Sequence, residues 1–189
     1  MQRAAHTRTP YLLAVMVALT ACVTQSAMPQ EPLPLSNNIN LERFMGRWYV
    51  IANIPTFIER EAYNAIEEYE WQGDGKVATT FTYNKGALDG PLKVANPTGF
   101  VSPENSAIWE MQFIWPFKAD YRVMHVDDDH SITIIGREKR DYVWLMARSP
   151  VIDDTTYHNM VDKIKLSGYD ISQLRKIPHN PERATAQRN

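Results

Sequence analysis

Between residues 47 and 148 the chain is a succession of short segments whose side chains alternate in character, cut at close intervals by turn signals. A chain divided this finely has no stretch for long helices and is patterned for an antiparallel sandwich or barrel. Residues 47–52 form the first candidate strand. In residues 66–71, Glu68 and Glu70 alternate with Tyr69 and Trp71; Gly73-Asp74-Gly75 then turns the chain into residues 77–83, where Val77, Thr79, Phe81 and Tyr83 share a face. That is a hairpin with a strand period of two. Residues 92–101 are a weaker strand, broken by Pro97 and Gly99, which suits an irregular or edge position. Residues 108–114 alternate cleanly, and after Trp115-Pro116-Phe117 come residues 120–126, 131–137 and 142–148, separated by polar turns at 127–130 and 138–141.

Eight antiparallel strands close into a barrel just wide enough to be filled by side chains or to hold one small ligand. One helix follows them. Asp153 or Asp154 can cap it, Tyr157, Met160, Val161 and Ile164 fall on one stripe, and Gly168 is placed to end it. The stripe must pack on something, and the outside of the sheet is the surface on offer. A short ninth strand over residues 174–177 can pair with an open edge.

The ends of the chain read differently. Arg3 and Arg8 precede an apolar run at residues 11–19, which is too short to span a bilayer, a task for about twenty residues. With the small residues that follow, residues 1–21 have the parts of a secretory signal peptide. Cys22, the single cysteine, stands at the cleavage point. Residues 22–39 carry Pro29, Pro32 and Pro34 among polar residues and are expected to be a lipidated N-terminus and tether; residues 179–189 are expected to be a flexible polar tail. Removal of the leader takes Arg3 and Arg8 from the 20 basic residues and leaves the 22 acidic ones intact, so no nucleic-acid footprint or polybasic membrane patch remains. Without a second cysteine there is no internal disulfide, Cys-ligated zinc or spare thiolate nucleophile.

Three ordered motifs carry a family resemblance. Gly46-Arg47-Trp48-Tyr49 resembles the Gly-x-Trp signature of the lipocalins, Asp120-Tyr121 resembles their second motif, and Arg148 their third. Leu19-Thr20-Ala21-Cys22 resembles the lipobox of bacterial lipoproteins, and residues 40–49, Trp115-Pro116-Phe117 and residues 141–150 resemble the bacterial outer-membrane lipocalins, relatives of apolipoprotein D. The resemblance covers residues 40–178. It implies an eight-stranded up-and-down barrel with one helix packed outside. It also implies a diacylated and N-acylated Cys22 that anchors the protein in the outer membrane of a Gram-negative envelope, and Val23 in place of Asp suits that address. Gly46, Trp48, Asp120, Tyr121 and Arg148 are then expected to be structural barrel-closing residues, with Arg148 against the Trp48 ring.

The ligand implied is a fatty acid, phospholipid or lysophospholipid. By phase and character, Tyr69, Phe81, Tyr83, Trp109, Phe113, Tyr121, Val123 and Trp144 are the candidates to line its pocket, with Arg122 or Arg137 to fix a polar head. Alternation alone does not separate the open half of a barrel from its closed half. No catalytic set, cofactor or metal site is expected. His125, His130, His158 and His179 fall in a strand, a turn, the helix and the tail without ligand spacing, and Asp127-Asp128-Asp129 lacks the Gly and Glu of a calcium loop. The leading expectation is a non-catalytic lipid carrier. A structural lipoprotein with a filled barrel, or an enzyme acting on a lipid by acid/base chemistry, are the alternatives, and homodimer formation is left open.

Overall fold

The computed structural model describes residues 31–37, 39–56 and 59–180. Ten strands make one antiparallel sheet: β1 (Gly46–Ile54), β2 (Ala62–Gly73), β3 (Lys76–Lys85), β4 (Leu92–Ala95), β5 (Thr98–Val101), β6 (Ile108–Ile114), β7 (Phe117–Val126), β8 (Ile132–Gly136), β9 (Val143–Ala147) and β10 (Arg175–Lys176). Pairing of β1 with both β2 and β9 closes it, with Tyr49 opposite Ile66 on one side and Ala147 on the other. The weak stretch at 92–101 is split at Pro97: β4 and β5 both pair with β3, and β5 continues to β6. Counting that pair as one staggered strand gives a closed eight-stranded barrel, and β10 adds to β1 as the extra strand.

Two apolar layers hold it together. The interior packs Trp48, Val50, Tyr69, Val77, Trp109, Tyr121, Val123 and Met146, whereas Tyr49, Ile51, Ile54, Ile134 and Leu145 face outward beneath helix α2 (Asp154–Leu166). Strands β1, β8 and β9 are therefore buried on both faces, which is why their sequences run apolar without alternation. Asp153 caps α2 by accepting from Thr156 N–H at 2.9 Å, and Met160 and Ile164 are the side chains it buries. Gly168 follows the helix with φ +87°.

A one-turn helix, α1 (Leu41–Phe44), precedes β1 and carries the fully buried Phe44 to the closed end. The expected tether is packed from Leu33 onward. Leu33 is buried in the outer layer, Ile39 in the inner one, and Ser36 N–H donates to Val123 O at 2.9 Å. Apolar residues at 33, 35 and 39 outweigh the proline content of this stretch. At the other end, His179 meets Val50 O at 2.9 Å and Asn180 N–H donates to Asn64 Oδ1 at 2.7 Å. Cys22 and the signal segment lie outside the described residues, as does the tail from 181.

Candidate functional site

The two ends of the barrel are built from different chemistry. At the closed end Phe44, Trp48, Tyr69 and Trp109 stack and cross at centroid distances of 5.2–5.7 Å, and Trp109 stacks on Tyr121. The hydroxyls of Tyr69 and Tyr121 share a hydrogen bond, and Trp48 Nε1 donates to Phe44 O at 2.8 Å. Arg148 lies over the Trp48 ring at 3.7 Å and donates to the carbonyls of Arg43, Phe44, Met45, Arg47 and His130. Burial pushes its pKa down to about 10. Gly46 has φ +85°, a left-handed backbone that favours glycine; a Cβ there would make only an ordinary contact with Arg148 Nη1 at 3.6 Å.

At the other end the connection after β1, the turn at Trp115-Pro116 and the loop between β8 and β9 surround a mouth. Beneath it lies a cavity of about 450 Å³, within the usual range for small-molecule sites. Phe81, Tyr83, Phe113, Tyr121 and Trp144 line it, with Met111 and Tyr142. Trp144 stacks on Phe81 at 5.1 Å and meets Tyr142 at 5.3 Å. Burial holds the Tyr121 and Tyr142 hydroxyls in the neutral form by pushing both pKa values well up.

Tyr69, Trp109 and Val123, also candidates by phase, do not line the cavity; the register sets them lower in the barrel, where they are core. Asp120 is not among the residues packed at the closed end. It stands beside the β8–β9 loop, accepts from Glu138 N–H at 2.9 Å and pairs with Arg122 at 2.5 Å. Arg122 alternates with the inward Tyr121 and Val123 and does not line the cavity, whereas Asp120 does. Arg137 does reach the mouth, but its guanidinium is engaged by both carboxylate oxygens of Asp141. Among the described residues no histidine lines the cavity. Asp127 serves its turn, accepting from the Ser131 and Ile132 N–H groups at 2.7 and 2.9 Å.

Two carboxyl groups that the strand pattern did not single out also enter the cavity. Glu59, from the β1–β2 connection, accepts from Trp144 Nε1 at 3.0 Å, Asn53 Nδ2 at 3.1 Å and Thr56 Oγ1 at 3.2 Å. Burial raises its pKa, and those three donors and Arg175 oppose the rise. Glu67, on β2, is 2 % exposed and has an Oε2 with no hydrogen-bond partner among the described residues. Burial first, and then the charge of Glu59, pushes the Glu67 pKa well up. Glu67 shares its parity with Tyr69, and that was the available signal; Glu59 sits where no periodicity speaks.

Residues 39–179 match the family model of the lipocalin-like domain. The chain is 30 % identical to temperature-induced lipocalin-1 of Arabidopsis thaliana over 83 % of this chain and 90 % of that protein. It is 26 % identical to the outer membrane lipoprotein Blc of Citrobacter freundii over 87 % and 93 % respectively. Insecticyanin from the tobacco hornworm Manduca sexta superposes with a TM-score of 0.64 at 17 % identity, covering 80 % of this chain and 86 % of that one. A barrel closed at one end by Trp48 and Arg148, hollow at the other, and matched from 39 to 179 by that model makes this chain a member of the lipocalin family.

Proposed function

We propose that the protein is a lipid carrier of the cell envelope, holding a fatty acid, phospholipid or lysophospholipid in its barrel and releasing it unchanged. The cavity carries this reading: about 450 Å³ with the aromatic side chains Phe81, Tyr83, Phe113, Tyr121, Tyr142 and Trp144 in its wall, at the inner end of an apolar rim. Val94 and Phe113 line the cavity yet are 54 % and 58 % exposed, and Ile114, Trp115 and Phe117 beside them are 71–81 % exposed. Such a rim suits a ligand that arrives from, or returns to, a lipid phase. The hollow favours a carrier over a structural barrel with a filled interior. Non-catalytic binding is supported by a lining in which, among the described residues, the ionisable side chains are carboxyls, phenols and the two cations Lys93 and Arg137.

Anchoring at the outer membrane through an acylated Cys22 belongs to the same proposal. It is supported by the lipobox at residues 19–22 and by similarity to a protein named outer membrane lipoprotein. Displacement of a fluorescent fatty acid by unlabelled lipids tests the carrier reading; saturable binding with recovery of intact ligand is expected, and absence of saturable binding sinks it. Cys22→Ser should abolish palmitate labelling and shift the protein from the membrane to the soluble fraction, since no basic patch replaces several acyl chains.

A further inference from the structure

Of the three carboxyl groups that line the cavity, Asp120 is taken up by Arg122 and Glu138 N–H beside the β8–β9 loop, and the other two, Glu67 and Glu59, come together deeper in the barrel. Glu67 rises from β2 two residues beyond Tyr69 on the same face, toward the open end, so it stands where the aromatic packing of the closed end gives way to the cavity. Glu59 reaches the same space from the β1–β2 connection, its oxygens ordered by Trp144, Asn53 and Thr56. Around the two acids stand Phe81, Tyr142 and Trp144. The cations that line the cavity, Lys93 and Arg137, belong to the mouth, and Arg137 is held there by Asp141.

A ligand that placed a methyl terminus against Glu67 would leave its Oε2 unpaired in a buried site, which folded proteins avoid. A carboxylate in the same position would bring a third acid to two. An ammonium group presents only donors, opposes the charge of the acids, and is attracted to the faces of the surrounding rings. The geometry points to a cation site: Glu67 and Glu59, walled by Phe81, Tyr142 and Trp144, take the amine end of an amphiphile whose apolar chain leaves the barrel past Val94 and Phe113. The exposed apolar rim then has a role, as the surface along which the chain emerges. This inference rests on the lipid-binding reading and narrows it to cationic or amine-bearing amphiphiles, bound head inward.

The test uses the full-length protein, stripped of lipid and titrated below micellar concentration at neutral pH with dodecylamine, dodecanol and sodium dodecanoate. These share one chain and differ in the polar end, and Trp144 in the cavity wall reports binding by its fluorescence. Dodecylamine should bind about tenfold or more tightly than either of the others, the scale of one hydrogen bond to a charged group. Glu67→Gln should remove most of the preference of dodecylamine over dodecanol. Equal or tighter binding of dodecanoate or dodecanol overturns the cation site while the carrier reading stands. So does an amine preference that survives in both Glu67→Gln and Glu59→Gln. If none of the three probes binds, the carrier reading fails and the cation site falls with it. The ranking on the unaltered protein decides the matter even where a variant does not fold.

Discussion

Arg148 lies 3.7 Å over the ring of Trp48 and ties that ring to the chain entering the barrel, through hydrogen bonds to the carbonyls of Arg43, Phe44, Met45 and Arg47. One guanidinium thus joins the end of β9 to the start of β1. Trp48 is 0 % exposed and holds Phe44 O through its Nε1, so Trp48→Ala removes a core ring, a cation–π contact and a hydrogen bond together. The expected loss is about 3–5 kcal/mol, read from a urea titration. Affinity of the folded fraction for an acyl ligand should change far less, because Trp48 does not line the cavity. An unchanged midpoint would contradict the role given to the closed end.

Most of the barrel was legible because alternation and turn chemistry are local. Residues 108–114 are the same as the observed β6, and the two-faced burial of β1 and β9 follows from their unbroken apolar runs. The cavity was legible only in part. Alternation places Tyr69 and Phe81 alike on an inner face, and it takes the cross-strand register, with Gly46 opposite Tyr69 and Glu67 opposite Phe81, to show that one is floor and the other wall. Phe44 escaped because a single helical turn has too few residues for a period. Leu33 and Ile39 escaped because scattered apolar residues among prolines resemble a linker until the groove that receives them is known.

The same register makes Glu67 a pH-dependent cost to the fold. Its pKa is raised in the folded protein by burial and by Glu59, so between its ordinary value near 4.5 and its folded value the native state binds more protons than the unfolded state. Stability from this group therefore falls as pH rises through that window. The facing groups, Glu59, Tyr69, Tyr121 and Tyr142, add no nearby positive charge to offset it. Glu67→Gln should be more stable than the parent at neutral and mildly alkaline pH, with the difference vanishing below about pH 4, where the parent carboxyl is protonated in both states. Thermal unfolding across that range checks it; a constant difference would mean that charge is not the cause.

Outside the barrel, Gly136 ends β8 directly beneath Tyr169. A Cβ at 136 would fall 2.2 Å from the Tyr169 hydroxyl and 2.4 Å from the Met124 sulfur. The hydroxyl is fixed on both sides, donating to Arg137 O at 3.1 Å and accepting from Arg137 N–H at 3.0 Å, so it has little freedom to yield. Gly136→Ala should cost about 1–3 kcal/mol, the usual range for overpacking, without altering ligand affinity. Urea unfolding beside a ligand titration separates the two effects.

Trp144 has two duties, as a wall of the cavity and as a donor to Glu59. Its Nε1 reaches Glu59 Oε2 at 3.0 Å, where Asn53 also donates, while Thr56 serves the other oxygen. Trp144→Phe keeps an aromatic face against Phe81 but deletes that donor. A group that lowered the Glu59 pKa is then gone, so burial pushes the carboxyl further up. The stability loss should be about 1.5–3 kcal/mol where Glu59 is ionised, the scale of a hydrogen bond to a charged group. It should shrink toward the packing contribution alone as pH falls and the carboxyl is protonated in folded and unfolded chains alike. Urea midpoints at mildly alkaline and acidic pH give the comparison: a loss that grows with pH supports Trp144 as the partner of the Glu59 charge, and a loss independent of pH reduces it to a packing residue.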